Sequence, residues 1–100
     1  MNNKRTFDEI KAEHLETLKR YVPVVARVHG NSHPEFHKVH ELFATINKKI
    51  DEAVSARPNL SEEFAELRAI THDYTVPGDV CESYEAVYKM LAELDRAFHA

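Results

Sequence analysis

Apolar side chains recur every three or four positions through most of this 100-residue chain. That spacing places them on one side of an α-helix and predicts amphipathic helices. The pattern is interrupted at Gly30–Pro34, around Pro58 and at Val76–Gly78. Since the intervening turns are short, neighbouring helices are expected to be antiparallel. The sequence therefore predicts a single all-α domain that folds as an up-down four-helix bundle.

Capping signals indicate where the helices begin. A Ser, Thr, Asp or Asn followed three positions later by Glu forms a capping box, and the chain has one at Thr6, Ser32, Asn59 and Asp79. Helix one is predicted to begin at Phe7, helix two to run from about Pro34 to Ala56, and helix three to end around Asp73–Tyr74.

Two residues of the first helical segment affect its path. Pro23 removes one helical hydrogen bond, so the first helix is expected to be kinked or broken near it. Gly30 suits the left-handed conformation that ends many helices. The core-facing stripe of this helix is predicted to include Tyr21 and Val28, with His14 at its middle.

Charge and cysteine content exclude several classes of function. The net charge is −4 at pH 7, which argues against a general surface for nucleic acid or anionic membranes. No apolar run approaches the roughly 20 residues that span a bilayer, and the first residues lack the apolar core of a signal peptide. The sole cysteine, Cys81, has no partner for an internal disulfide. A cytoplasmic location is therefore predicted.

Four of the seven histidines cluster between Arg27 and Phe43. His33, His37 and His40 share one face of helix two, and His29 closes helix one. Imidazoles at this spacing are good ligands for iron, zinc or copper. The other interpretation is that His37 and His40 lie at the edge of a solvated helical face, beside Lys38 and Glu41. The sequence has no His-Glu-x-x-His or paired Cys-x-x-Cys motif to strengthen the metal interpretation.

Two further residues are open to a functional and a structural interpretation. His14 is either a metal ligand or a hydrogen-bonded core histidine. Cys81 lies at the start of the last helix, where backbone N–H groups favour a thiolate, although Asp79 and Glu82 oppose that effect. It is either a redox-sensing thiol or a small buried residue.

Two blocks of sequence resemble a known family. VVARVHGNSHPEF, continued by VHELF, and later ELRAITHDYTVPGDVCESYEAVYKMLAELDRAFH together cover about two-thirds of the chain. In this order they resemble the repair-of-iron-centres (RIC) family, hemerythrin-like di-iron proteins that restore damaged iron–sulfur clusters after oxidative or nitrosative stress. The resemblance implies a hemerythrin-like bundle and iron as a cofactor.

The ligand set implied by the resemblance is incomplete in this chain. His29 matches the family's VHG histidine, and His14 is the only candidate for the ligand on the first helix. Ala53 and Arg57 fall where a His-x-x-x-Glu ligand pair is expected, and no histidine opens helix three. The sequence therefore predicts a shortened relative with a reduced metal site, whose candidate ligands are His29, His33, His37 and His14.

Two functions are consistent with these observations. The first is iron–sulfur cluster repair or iron handling, with an iron–sulfur protein as client and one iron held through His29 and neighbouring histidines, with Cys81 as a candidate auxiliary group. The second is a metal-free interaction module that uses an exposed helical face to bind a partner or a second copy as a homodimer. No catalytic motif in the sequence indicates a stand-alone enzyme.

Overall fold

The computed structural model describes residues 6–53 and 58–99, which contain four α-helices and no strand. The helices are α1 (Phe7–His29), α2 (Glu35–Glu52), α3 (Ser61–Ile70) and α4 (Glu82–Phe98). The all-α prediction is confirmed for these residues, whereas the predicted end of helix two at Ala56 lies outside them. The radius of gyration is 13.3 Å, close to the value of about 13 Å expected for a compact chain of this length. None of the described helices is long and apolar enough to cross a bilayer.

The start of α1 is fixed by the predicted capping box. The Thr6 hydroxyl accepts a hydrogen bond from the Glu9 backbone N–H at 3.2 Å, and the Glu9 carboxylate accepts one from the Thr6 backbone N–H at 3.0 Å. The chain then remains helical through Pro23 to His29, so the predicted break is absent. Pro23 is exposed, and water can therefore solvate the carbonyl that its missing N–H leaves without a partner.

The other three predicted capping boxes do not form. Pro34 and Cys81 occupy the N-cap positions of α2 and α4, and neither makes a side-chain capping bond. At α3 the Asn59 side chain instead accepts from the Ser61 N–H at 3.3 Å. Two of the acids expected at these caps, Glu35 and Asp79, contact His33 instead and take part in the site described below.

The helices pack through contacts that identify their directions. Phe7 at the start of α1 packs edge-on against Phe98 at the end of α4, with ring centroids 5.6 Å apart. Nearer the middle of both helices, Nε2 of His14 lies 2.7 Å from the carboxylate of Glu93. α1 and α4 therefore run antiparallel. α1 also packs against α2, and α2 packs against α3. The largest fully buried side chains are Tyr84, Tyr88, Phe36, Phe64, Leu18 and Ile46.

Two residues predicted for the core stripe of α1 lie at the surface. Tyr21 is 36% exposed and Val28 is 62% exposed, whereas Leu18, Val22 and Val25 are buried. The apolar face of α1 is wider than the surface that the rest of the described structure covers, so the predicted stripe is wrong at these two positions.

α3 ends at Ile70, earlier than predicted, because the chain turns left-handed. His72, Asp73 and Tyr74 have φ values of 52°, 60° and 60°. Such conformations in non-glycine residues cost on the order of 1–3 kcal/mol each and need compensating contacts. The Thr71 hydroxyl supplies one, since it accepts the Tyr74 N–H at 2.8 Å.

A buried carboxylate on α4 holds this turn in place. Asp95 is 4% exposed. Its oxygens accept hydrogen bonds from the Arg68 guanidinium at 2.7 and 2.8 Å, from the Tyr74 hydroxyl at 2.8 Å, and lie 2.8 Å from Nδ1 of His99. Burial and the bond to Asp95 raise the pKa of Tyr74, which keeps its hydroxyl protonated and able to donate.

We expect Asp95→Ala to lower the free energy of unfolding by about 3 kcal/mol, because it leaves Arg68 without its counter-charge and releases the strained turn. Urea denaturation followed by circular dichroism measures the change. Asp51→Ala is the matched control: Asp51 is exposed on α2, and its loss should change stability by no more than about 0.5 kcal/mol. Equal stability of the two variants would contradict the role assigned to Asp95.

Candidate functional site

The candidate site lies where the end of α1, the start of α2 and the start of α4 meet around one aromatic ring. The ring of Tyr84 is fully buried. The imidazoles of His29 and His33 both meet it edge-on, each with its centroid 5.5 Å from that of Tyr84. Phe36 packs against the same ring at 4.9 Å. Tyr84 therefore fixes the positions of two of the predicted ligand histidines.

His29 and Cys81 form a close imidazole–thiol pair. Nε2 of His29 lies 3.2 Å from Sγ of Cys81, although the two residues are 52 positions apart in the sequence. Cys81 is exposed, so of its two interpretations the one as a small buried residue is wrong. A thiol with a base at hydrogen-bond distance is the arrangement that activates a cysteine as a nucleophile, and both atoms are also good ligands for iron or zinc.

His33 links the start of α2 to the segment that leads into α4. Its Nδ1 lies 3.2 Å from a carboxylate oxygen of Glu35 and its Nε2 lies 3.1 Å from one of Asp79. Carboxylate oxygens only accept hydrogen bonds, so a ring nitrogen that carries a proton donates to its carboxylate. These are the acids that the sequence assigned to the capping boxes of α2 and α4. The contact with Asp79 positions Cys81, two residues further along the chain.

His37 occupies a space that only glycine leaves open. A Cβ atom at Gly30 would overlap both the His37 imidazole and the carbonyl oxygen of Ala26. Gly30 itself has φ −60° and ψ −29°, in the right-handed region. The expectation of a left-handed Gly30 is therefore wrong, and the residue is needed for close approach instead.

His14 lies apart from this group, some 15 residues or about 22 Å along α1 from His29, and contacts Glu93 as described above. Within residues 6–53 and 58–99, no group of three or more His, Cys, Asp or Glu side chains is arranged to hold a metal ion. Of the four predicted ligands, His29, His33 and His37 thus lie together where α1, α2 and α4 meet, and His14 lies elsewhere. The described residues do not fit a carboxylate-bridged di-iron centre, which draws ligands from several facing helices.

The phenols beneath the histidines stay neutral. Burial raises the pKa of Tyr84, and its hydrogen bond with Tyr88, 3.0 Å long between the hydroxyl oxygens, adds to that shift. Burial also raises the pKa of Tyr88. Both hydroxyls are therefore protonated at physiological pH, and Tyr84 supports the histidines by packing rather than as a phenolate ligand.

Sequence reasoning missed three parts of this site. It found no Cys-His pairing, because the partners belong to segments that only the fold brings together. It treated Asp79 as a helix cap and Tyr84 as a core residue. The regular spacing of Tyr84 and Tyr88 on α4 predicted their burial, but no local signal indicated which histidines they would contact.

Comparison with known proteins found no matching family, no matching curated protein and no matching solved structure. The relationship to the RIC family therefore stays a prediction from the two sequence blocks alone.

We expect His29→Ala to slow alkylation of Cys81 by iodoacetamide at neutral pH on the order of tenfold or more, because the variant lacks the base beside the thiol. Mass spectrometry of the modified chain gives the rate. His14→Ala removes an imidazole at the other end of α1 and should leave the rate unchanged. Equal rates in all three proteins would contradict the pairing of His29 with Cys81.

We expect Gly30→Ala to destabilise the protein by about 1–3 kcal/mol, because the added methyl group overlaps His37 and the backbone of α1. Gly78→Ala is the matched control, since a Cβ at Gly78 meets no atom within 4 Å. Thermal unfolding compares the two variants. A Gly30→Ala protein as stable as the control would show that the α1–α2 turn is looser than described.

Proposed function

We propose that this chain acts in iron–sulfur cluster repair or iron handling as a relative of the RIC family, with iron as cargo at the His29–Cys81 pair. The cytoplasm, where thiols stay reduced, is the compartment we assign to it. An iron–sulfur protein is the proposed client.

One observation carries this proposal. The sequence blocks that resemble the RIC family, VVARVHGNSHPEF and DYTVPGDVCESY, contribute His29 and Cys81, whose side chains lie 3.2 Å apart. A second contact between the same blocks joins His33 to Asp79. The residues on which the resemblance depends therefore meet at one corner, as expected if they serve a common site.

The donor atoms of the His29–Cys81 pair suit transient iron binding. An imidazole nitrogen and a thiol sulfur are two donors that iron accepts. Two protein donors leave other positions on the metal open for a client's ligands, which transfer requires. The exposed acids Asp79 and Glu82 flank Cys81, and their negative charge favours approach of a cation.

We extend the proposal to the architecture, which we assign to the hemerythrin-like up-down bundle. The antiparallel contact of α1 with α4 supports it. The contact of Lys49, near the end of α2, with Glu63, in the first turn of α3, also supports it, with Nζ 2.7 Å from the carboxylate.

The direct test is iron uptake by protein purified without oxygen. We expect stoichiometric Fe(II) by mass spectrometry of the metal content, and its loss in His29→Ala and in Cys81→Ser, because each removes one of the two donors. His14→Ala should keep the iron. The wild-type protein, but not the two site variants, should also restore activity to a hydratase whose cluster has lost its labile iron.

Each outcome bears on a different part of the proposal. A wild-type protein that takes up no Fe(II) would refute iron as cargo at this corner. Uptake that survives in both site variants would place the iron elsewhere in the chain. Uptake without restored hydratase activity would support iron handling and contradict cluster repair.

A further inference from the structure

An apolar stripe on α1 lies outside the site. In the part of the chain that the structure describes, the exposed large apolar residues are Tyr21, Val24 and Val28, with 36%, 43% and 62% exposure. At spacings of three and four they lie along one side of the helix. The stripe is about 10 Å long and ends one residue before His29.

Two arginines border this stripe. Arg20 and Arg27 are exposed and lie seven positions apart, which places them in one row on the side of the stripe away from the buried face. Neither takes part in any of the ion pairs described for residues 6–53 and 58–99. The surface therefore combines uncovered apolar area with unpaired positive charge, on a chain whose net charge is −4.

We infer that this face of α1 docks an acidic amphipathic helix of a partner protein. An apolar stripe along a helix packs best against a second helix, whose side chains fit between its own. Acidic side chains flanking the partner's apolar positions would pair with Arg20 and Arg27, so that charge sets the choice of partner and the rate of encounter. The small area predicts a weak, transient complex.

A second copy of the chain is the competing occupant, and charge disfavours it. Two copies of this face, packed stripe against stripe, would bring both pairs of arginines into one interface. Residues 21–28 include no acid to neutralise them, and Glu16, one turn before Arg20, already contacts Lys19. Like charges at such short range oppose association. The inference does not depend on iron and goes beyond the proposed function.

Binding of designed peptides tests the inference. The probe is a fluorescent peptide of about 18 residues, roughly five helical turns, with leucines along one side flanked by glutamates. A second peptide carries lysines in place of the glutamates. We expect the wild-type protein to bind the glutamate peptide in the micromolar to submillimolar range, with an affinity that falls as salt rises, and to bind the lysine peptide at least tenfold more weakly.

Three variants make the test specific. Val28→Glu should abolish binding, and it leaves the fold intact because Val28 is mostly exposed. The double variant Arg20→Glu, Arg27→Glu should reverse the preference and bind the lysine peptide. Lys38→Glu, an equal change of charge at an exposed position on α2, should leave the preference for the glutamate peptide in place.

The remaining outcomes overturn the inference. Equal affinity for the two peptides, or no binding of either, would remove the acidic helix as the occupant. Sedimentation of the wild-type protein alone tests whether a second copy occupies this face. A dimer that Val28→Glu dissociates would assign the face to that second copy. Iron uptake measured on the same variants separates failure here from failure of the proposed function.

Discussion

The arrangement of the candidate site depends on the burial of one aromatic ring, that of Tyr84. Its ring contacts His29 at the end of α1, His33 in the following turn and Phe36 in α2, while its own backbone belongs to α4. A single side chain thus joins three helices and orients two imidazoles. Because burial keeps its hydroxyl neutral, the ring does this by shape and hydrogen bonding and adds no charge to the site.

The sequence predicted the helices well where local physics decides them. The periodicity of apolar residues gave four helices, and the capping box of Thr6 with Glu9 forms as expected because both partners belong to one turn. Prediction failed where a distant partner competes. Asp79 has the right spacing for a cap, yet it contacts His33, 46 positions away, and so joins two segments where a cap would satisfy only one helix end. Glu35 also contacts His33, which lies two positions before it in the same turn.

The difference between local signals and contacts of distant segments also explains which parts of the site could be predicted. His29 and His33 were identified from their clustering and from the resemblance to the RIC family, and the structure places them together. Cys81 was expected only as an auxiliary group at an iron site. Its direct contact with His29 was not predictable, since it spans 52 positions and depends on how α4 packs. His14 was grouped with His29 as the only candidate for the ligand that the resemblance implies on the first helix, but the length of α1 between the two keeps them apart.

The left-handed turn at His72–Tyr74 affects how one side of the candidate site can move. Its three residues lose conformational strain when they leave the turn, so local opening there is easier than in a helix, provided that Tyr74 releases Asp95. The segment after the turn carries Asp79 and Cys81, whereas the histidines that face them lie at the end of α1 and in the turn it makes with α2. The acid that contacts His33 therefore lies on the part of the chain that the turn can release, whereas Cys81, at the N-cap of α4, stays with the helix end that the Tyr84 ring anchors.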